Sequence, residues 1–341
     1  MRAAILHAPG DLRVETVPDP VIERPTDAVV RVVAAGICGT DLRGLAGHPG
    51  PVRGPRCGHE FVGVVEDTGA DVRGLRAGDL VVSPFQFSDG ACAACTRGVP
   101  SSCRSGGMFG VDTGGGQAEA VRVPFADATL VPVAADPGDE RLPGILALAD
   151  VMATGAHALA SAALPAGATV AVVGDGAVGL CSVLAARRAG AERIFLLGRH
   201  ANRLEVGESF GATDVVTARG DEAHAALLDA TGGVGADLVV DAVGEQSALD
   251  TAMAVCADGG SVALVGGPHG GVDMMACFLR NITVTGGLAP ARSYLPGLVD
   301  DVLSGRIDPS PVFDHVVTLD DIALGYRAMA ARTATKVLVR P

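Results

Sequence analysis

Three side chains that suit a divalent metal lie apart in the first half of the chain. Cys38 sits in AAGICGTD, just after an apolar strand-like run, and His59 sits in CGHE, just before another. Taken singly, each is better read as a buried thiol or a core histidine than as a metal ligand. Asp150 lies in LALADVMATG, interrupting an otherwise apolar helical stretch, where an unpaired carboxylate would be costly. A thiolate, an imidazole and a carboxylate together make a zinc site with three protein donors and an open fourth position. Such a site does Lewis-acid chemistry on a substrate oxygen.

A second constellation follows in VVGDGAVGL. Gly174, Gly176 and Gly179 form GxGxxG after the apolar run ATVAVVG and at the opening of the helical run AVGLCSVLAARRAG. One glycine turns the chain, one lets a pyrophosphate approach, and one lets the helix lie close to the sheet. The phosphates then meet free N–H groups along Gly176, Ala177, Val178 and Gly179 at the helix N-terminus. A tight strand–helix turn with no ligand is the alternative. The end of the next strand, RIFLLG, separates the two nicotinamide cofactors, because NAD sites usually carry an acidic residue there. This chain has Gly198, Arg199 and His200, with Arg203 further on. Loss of the carboxylate removes a clash with a 2′-phosphate, and Arg199 supplies a charge-assisted partner for it. NADP(H) is therefore expected over NAD(H), with a merely solvated Arg199 as the alternative.

The wider composition narrows the function class. There are 39 acids against 26 bases, a formal charge of −13, and Lys336 is the only lysine. That balance argues against nucleic-acid partners and anionic membranes. Hydrophobic residues make up 48% of the chain, enough for a sizeable core. No secretion signal is visible, and the longest apolar stretches are strand-length or broken by glycine, so a cytoplasmic protein with no membrane span is expected. Of eight cysteines, Cys92, Cys95 and Cys103 cluster, and in that setting the cluster points to metal chemistry rather than disulfides.

The elements that must hold these groups form two patterns. Residues 1 to about 150 suggest all-β structure, with β-rich runs at 28–35, 60–66 and 79–82 separated by Gly/Pro turns, which fits a partly closed barrel. LPGILALADVMATGAHALASAAL is helical in composition and spans the boundary. From Ala168 onward, strands (ATVAVVG, RIFLLG, ADLVVDAVG, GSVALVG, NITVTGG) alternate with helices, which is βαβ logic and implies an α/β domain with a parallel sheet. The last fifty residues end in the strand TKVLVRP and rejoin the first domain. The expected boundaries are 1–152, 153–288 and 289–341.

The ordered set GICGTD at 36–41, GHEFVGVV at 58–65, the cysteine lobe at 89–103 and GDGAVG at 174–179 resembles the zinc-dependent medium-chain alcohol dehydrogenase family. The resemblance covers essentially the whole chain. It implies a chaperonin-like β-barrel catalytic domain and a Rossmann domain with a doubly wound parallel sheet, with the active site in the cleft between them. It implies catalytic zinc on Cys38, His59 and Asp150, an aspartate third ligand being like the secondary-alcohol branch. Glu60 would lie near the metal and be able to coordinate it. Thr40 would bond the substrate oxygen, and Asp41 would orient His59. In the lobe, the family spacing C-x2-C-x2-C-x7-C is filled by Cys92, Cys95 and Cys103, with Asp89 in the first place. A structural zinc on these four is implied, and a degenerate lobe with free thiols is the alternative.

One position departs from the family. Many members carry a histidine five residues after the first zinc cysteine, at the outer end of a proton relay, and here Arg43 stands there. A guanidinium stays protonated and cannot act as a neutral carrier. The relay then runs from Thr40 through the ribose hydroxyl to water, or through His48, which is otherwise an ordinary loop residue. Arg43 holding a cofactor phosphate is a further role.

Phe85, Phe87, Met108 and Phe109 fall in loops where pocket lining and barrel packing are equally open. The strand ends DAVG, VGGPHG and GGLAP, through Val243, Val265, Gly266 and Leu288, should border the nicotinamide, with His269 beside them. The expected function is a zinc-dependent oxidoreductase moving a hydride between NADP(H) and a secondary alcohol and ketone, or an aldehyde. An NAD-dependent polyol or sugar dehydrogenase shares the zinc chemistry but needs polar groups around its substrate. A catalytically silent nucleotide-binding scaffold would leave the metal set without a use. The resemblance implies a homodimer or homotetramer, with NITVTG a candidate for sheet extension between subunits.

Overall fold

A computed structural model describes residues 1–47, 56–267 and 270–341. His48 and His269 lie outside the described residues. The chain forms two units, one of Met1–Asp150 with Pro290–Pro341 and one of Val151–Ala289. The first boundary thus falls after Asp150 rather than after residue 152, and the second after Ala289.

In the first unit, β1 (Ala28–Ile37), β2 (Phe61–Thr68), β3 (Leu80–Ser83), β4 (Ala120–Val123) and β5 (Val131–Pro132) join two strands from the chain's end. Those are β12 (His315–Thr318) and β13 (Val337–Arg340). The order is β12-β13-β1-β2-β3-β5, with β4 also pairing β1. The β-branched runs AVVRVV and FVGVVE suit a pleated surface whose inner side chains fill the core. Val30, Ile37, Phe61, Val81, Phe109 and Tyr326 are among the buried residues of that core.

Register decides what meets at the sheet's end. β1 runs antiparallel to β2 and to β13, pairing Ala35 with Phe61 and Ile37 with Val337. The residues just after β1, just before β2 and just before β13 therefore converge. β3 pairs Ser83 with Phe61, so the chain leaving β3 reaches the same end.

The unit is not all-β. A helix α1 (Gly39–Leu45) follows β1 directly, and α2 (Leu142–Ala147) follows the barrel strands. The long helical stretch expected across the boundary is two helices, α2 and α3 (Val151–Ala160), separated by a turn at Leu148–Asp150. Asp150 is therefore not inside a helix. It closes the turn, whose Ala149 carbonyl accepts the Phe85 N–H at 3.0 Å.

Among the described residues, the second unit holds six parallel strands: β6 (Thr169–Val173), β7 (Arg193–Leu197), β8 (Asp214–Val216), β9 (Ala236–Asp241), β10 (Cys256–Leu264) and β11 (Thr283–Gly286). Their order is β8-β7-β6-β9-β10-β11, the doubly wound dinucleotide-binding arrangement. Val170, Ala171, Val172, Val239 and Val240 are fully buried, as strands covered on both faces require. Crossovers include α4 (Ala177–Arg188) after β6, α5 (Ala201–Phe210) after β7, and α6 (Met274–Arg280) before β11. Val173 pairs with Leu197 and with Asp241, Asp241 with Leu264, and Leu264 with Gly286. The carboxyl ends of these strands line up along one edge. Among the described residues, no helix is long and apolar enough to cross a membrane.

Candidate active site and metal centres

At the converging end of the barrel sheet, Cys38 Sγ lies 3.4 Å from Asp150 Oδ2, and His59 Nε2 lies 3.3 Å from the same oxygen. Cys38, His59, Glu60 and Asp150 present donor atoms within 4.8 Å of one another. Zinc bonds of about 2.0–2.3 Å in a tetrahedron put neighbouring donors about 3.3–3.8 Å apart. The spacing and the mixed S, N and O donor set both fit zinc. Cys38, His59 and Asp150, with Glu60 beside them, thus form a candidate catalytic zinc site.

The surrounding groups fix the donors. Asp41, on the first turn of α1, accepts the Cys38 N–H at 2.9 Å and the Gln117 side-chain amide at 3.1 Å. Its other oxygen is 3.6 Å from His59 Nδ1, which leaves Nε2 directed at the donor cluster. Gln117 also donates to the Gly36 carbonyl at 3.0 Å and accepts the Tyr326 hydroxyl at 2.8 Å. Glu60 is buried with its carboxylate 2.7 Å from the Lys336 ammonium, and its Oε1 is 4.0 Å from His59 Nε2. Burial pushes the Cys38 thiol up, and the Asp150 charge adds to it. For His59, burial opposes the charged form, but Asp41, Asp150 and Cys38 outweigh it and raise its proton affinity well above the usual value. Metal therefore enters by displacing protons from this site.

Thr40 is exposed on the first turn of α1, two residues from Cys38, and Arg43 lies further along the same helix. Phe85 is buried edge-on to His59, with ring centroids 6.4 Å apart. Phe87 and Phe109 take the packing role: they meet each other at 5.7 Å, and Phe109 meets Phe61 at 5.0 Å inside the barrel core. Met108 is half-buried and pairs with Gln86 in a short bridge.

The second group is Asp89, Cys92, Cys95 and Cys103. Cys92 Sγ is 3.6 Å from Cys95 Sγ and 3.8 Å from Cys103 Sγ, with no disulfide among them. Those are the edges of a tetrahedron with Zn–S bonds of about 2.3 Å. Asp89 accepts the Ala91 and Cys92 N–H groups at 2.9 Å, which holds its carboxyl far below the usual range.

In the second unit, Gly174 has φ +111°, and a Cβ there would lie 2.7 Å from Val243. A Cβ at Gly179 would strike the Gly174 carbonyl, so both positions are closed to side chains. Gly176 differs: a Cβ there would meet nothing within 4 Å, and no side chain caps α4 behind it. That open, uncapped helix start, spanning Gly176, Ala177, Val178 and Gly179, suits an anion. Val243, Val265, Gly266 and Leu288 follow the ends of β9, β10 and β11 on the same edge. Arg199 is exposed just past β7, while Arg203, expected at a cofactor phosphate, is 9% exposed and turned toward Asp175 at 3.8 Å. A buried guanidinium needs a counter-charge, and Asp175 provides one.

Residues 24–134 match the alcohol dehydrogenase GroES-like domain, and residues 177–304 match the zinc-binding dehydrogenase family. A Mycobacterium tuberculosis protein named "Probable zinc-binding alcohol dehydrogenase" is 36% identical over 343 residues, spanning 99% of this chain and 87% of that protein. The chain belongs to the zinc-dependent medium-chain alcohol dehydrogenase family. Among solved structures, an alcohol dehydrogenase from Thermus sp. ATN1 matches with a TM-score of 0.91 at 32% identity, over 100% of this chain and 99% of the other. A Sinorhizobium meliloti 1021 protein solved with NADP bound matches at 0.85 and 29% identity, over 100% and 99% of the two chains.

Sequence reasoning about this dehydrogenase missed four residues around its sites. Lys336, Gln117 and Tyr326 touch the metal set or its supports from 76 to 276 positions away along the chain. Lys336 alone carried a signal, as the only lysine. Asp175 lies between Gly174 and Gly176, at a position the glycine motif leaves unspecified.

Proposed function

We propose that this zinc-dependent oxidoreductase interconverts a secondary alcohol and its ketone, or reduces an aldehyde, with NADP(H) as the hydride carrier. The observation that carries it is the Cys38–His59–Asp150 donor set, whose Asp150 oxygen lies 3.4 and 3.3 Å from the sulfur and nitrogen donors, a spacing that suits tetrahedral zinc. Bound zinc supplies Lewis acidity at the substrate oxygen. Bound dinucleotide supplies or accepts the hydride. The chain's own residues do the rest. Asp41 holds the His59 ring and the Lys336 ammonium holds Glu60, while Thr40 accepts a hydrogen bond from the substrate hydroxyl and relays its proton, giving up its own toward the ribose hydroxyl and water in oxidation and running the exchange in reverse in reduction. Phe85 gives the site an apolar wall, which favours an uncharged substrate over a polyol.

Two features support NADP(H). Arg199 stands exposed just past β7, and the similar Sinorhizobium protein holds NADP. The Asp89–Cys92–Cys95–Cys103 group holds a second, structural zinc. The open edge of β11 pairs with a second copy to form a homodimer, alone or within a tetramer.

A turnover screen with NADPH and NADH against ketones and aldehydes tests the reading on wild type and Asp150→Ala. Expected are a lower KM for NADPH, and loss of at least about a thousandfold in kcat on removing Asp150, with dinucleotide binding retained. Full activity in Asp150→Ala would remove the zinc role, and a lower KM for NADH at equal kcat would remove the NADP preference.

A further inference from the structure

The residue between the first two glycines of the phosphate loop is an aspartate, and it is heavily engaged. Val173 and Leu197 are register partners, so the chain two residues past β6 passes beside the chain one residue past β7. There Asp175 Oδ2 accepts the Arg199 N–H at 2.7 Å and the His200 N–H at 2.9 Å. His200 Nδ1 lies 2.8 Å from the same oxygen, and the Arg203 guanidinium is 3.8 Å from the other. Asp175 is only 7% exposed. Burial works against its charge, yet these donors outweigh it and hold its carboxyl below the usual range. A single carboxylate thus shapes the whole turn after β7 and balances one of its two arginines.

The same carboxylate explains Gly198. A Cβ at that position would lie 2.6 Å from Asp175 Cβ and 2.9 Å from Asp175 Oδ2. Two carbons do not approach that closely, and a carboxylate at 198 would also set like charges side by side. Glycine at 198 is therefore required by Asp175, whichever cofactor binds.

We propose that Asp175 is a specificity-determining residue for the dinucleotide, acting through the turn it shapes. Selection between a ribose hydroxyl and a 2′-phosphate belongs to the pair 175/198 rather than to position 198 alone. The proposal rests on the reading of the glycine loop as a dinucleotide site, and it does not depend on which cofactor wild type prefers.

The test is titration of NAD+ and NADP+ into the full-length zinc-loaded protein. The variants are Asp175→Asn, Asp175→Gly, Gly198→Asp and the double variant Asp175→Gly/Gly198→Asp, in which the Cβ that blocks position 198 is gone, each with a thermal melt. Gly198→Asp alone should weaken both dinucleotides at least tenfold. The double variant should regain at least tenfold in NAD+ affinity over Gly198→Asp while NADP+ stays weak. Asp175→Asn keeps shape and one acceptor oxygen, so the turn should persist. Removing its negative charge should move the affinity ratio at least threefold toward NADP+. The proposal is overturned if Gly198→Asp alone binds NAD+ as tightly as wild type, if the two positions act additively, or if Asp175→Asn leaves the ratio unchanged. Failure of wild type to bind either dinucleotide would instead remove the dinucleotide reading, and the proposal with it.

Discussion

At the scale of single residues, the Lys336–Glu60 pair is the most exacting contact near the metal set. Both side chains are about 1% exposed and their charged groups are 2.7 Å apart. Burial alone would make the ammonium shed its proton, but Glu60 outweighs it and keeps Lys336 charged. Breaking such a pair from one side leaves an uncompensated buried charge, at about 3–5 kcal/mol. Lys336→Met should therefore lower unfolding free energy by about that much in denaturant titration. Adding Glu60→Gln should recover most of the loss, and a loss under about 1 kcal/mol would show the pair to be marginal. The zinc donors were legible from residue type and motif. Their supports, Gln117 and Tyr326, were not, because neither stands in a recognisable pattern and each is held by a contact far along the chain.

At the scale of elements, short turns set the ligand geometry. The turn at Leu148–Asp150 presents Asp150, and α2 before it is anchored at its start. Asp139 accepts the Arg141 N–H at 2.8 Å and its guanidinium at 2.6 Å, and Arg141 also reaches the Leu303 carbonyl at 2.7 Å. The Arg141 side chain holds the Asp139 carboxyl down to about 2. A depressed folded value gives stability that is complete above the unfolded value, near 4, and is lost as pH falls toward 2. Denaturation midpoints of wild type and Asp139→Asn should differ by a constant amount above about pH 5 and converge below about pH 4. A gap that persists unchanged at pH 3 would contradict this. The cysteine lobe is also an element-scale device. Backbone N–H groups pull the Cys92 thiol down to about 7, while burial pushes Cys95 up to about 12. One low thiol beside one high thiol suits capture of a metal that then deprotonates the rest. Elemental analysis should find two zinc ions per chain in wild type and one in Cys92→Ser, with a lower Tm in the variant. One zinc in both would show the lobe to be empty. The helical composition of residues 142–164 was readable, but the break at Asp150 was not, since nothing local in LALADV stops a helix.

At the scale of the whole molecule, β11 is the outer strand of the second unit's sheet among the described residues. β11 pairs with β10 on one side only, and Val284 on it is 38% exposed. The preceding α6 shows Met274, Phe278 and Leu279 at 71%, 78% and 70% exposure. Apolar groups in such a cluster, beside an edge strand, are where the proposed homodimer would bury its interface. Burying one phenylalanine contributes about 1.5–3 kcal/mol, and a two-fold interface counts it twice. Phe278→Glu should therefore raise the dimer dissociation constant at least about a hundredfold in sedimentation velocity. A dimer of unchanged strength would place the interface elsewhere.

Sequence alone determined the parts whose signals are local. The glycine spacing, the cysteine cluster and the strand–helix alternation each follow from neighbouring residues and the geometry those residues allow, while the zinc donor set is implied by the ordered motifs that resemble the family. Tertiary structure decided whatever depends on register and on approach between distant segments. Antiparallel pairing of β1 with β2 and β13 brings Cys38, His59 and Lys336 to one end of a sheet. Packing against Phe61 assigns Phe109 to the core. The approach of Asp175 to Gly198 changes the meaning of that glycine, from an absent ribose ligand to a position with no room for a side chain. Each of these depends on which backbones lie side by side, which no local pattern of residues specifies.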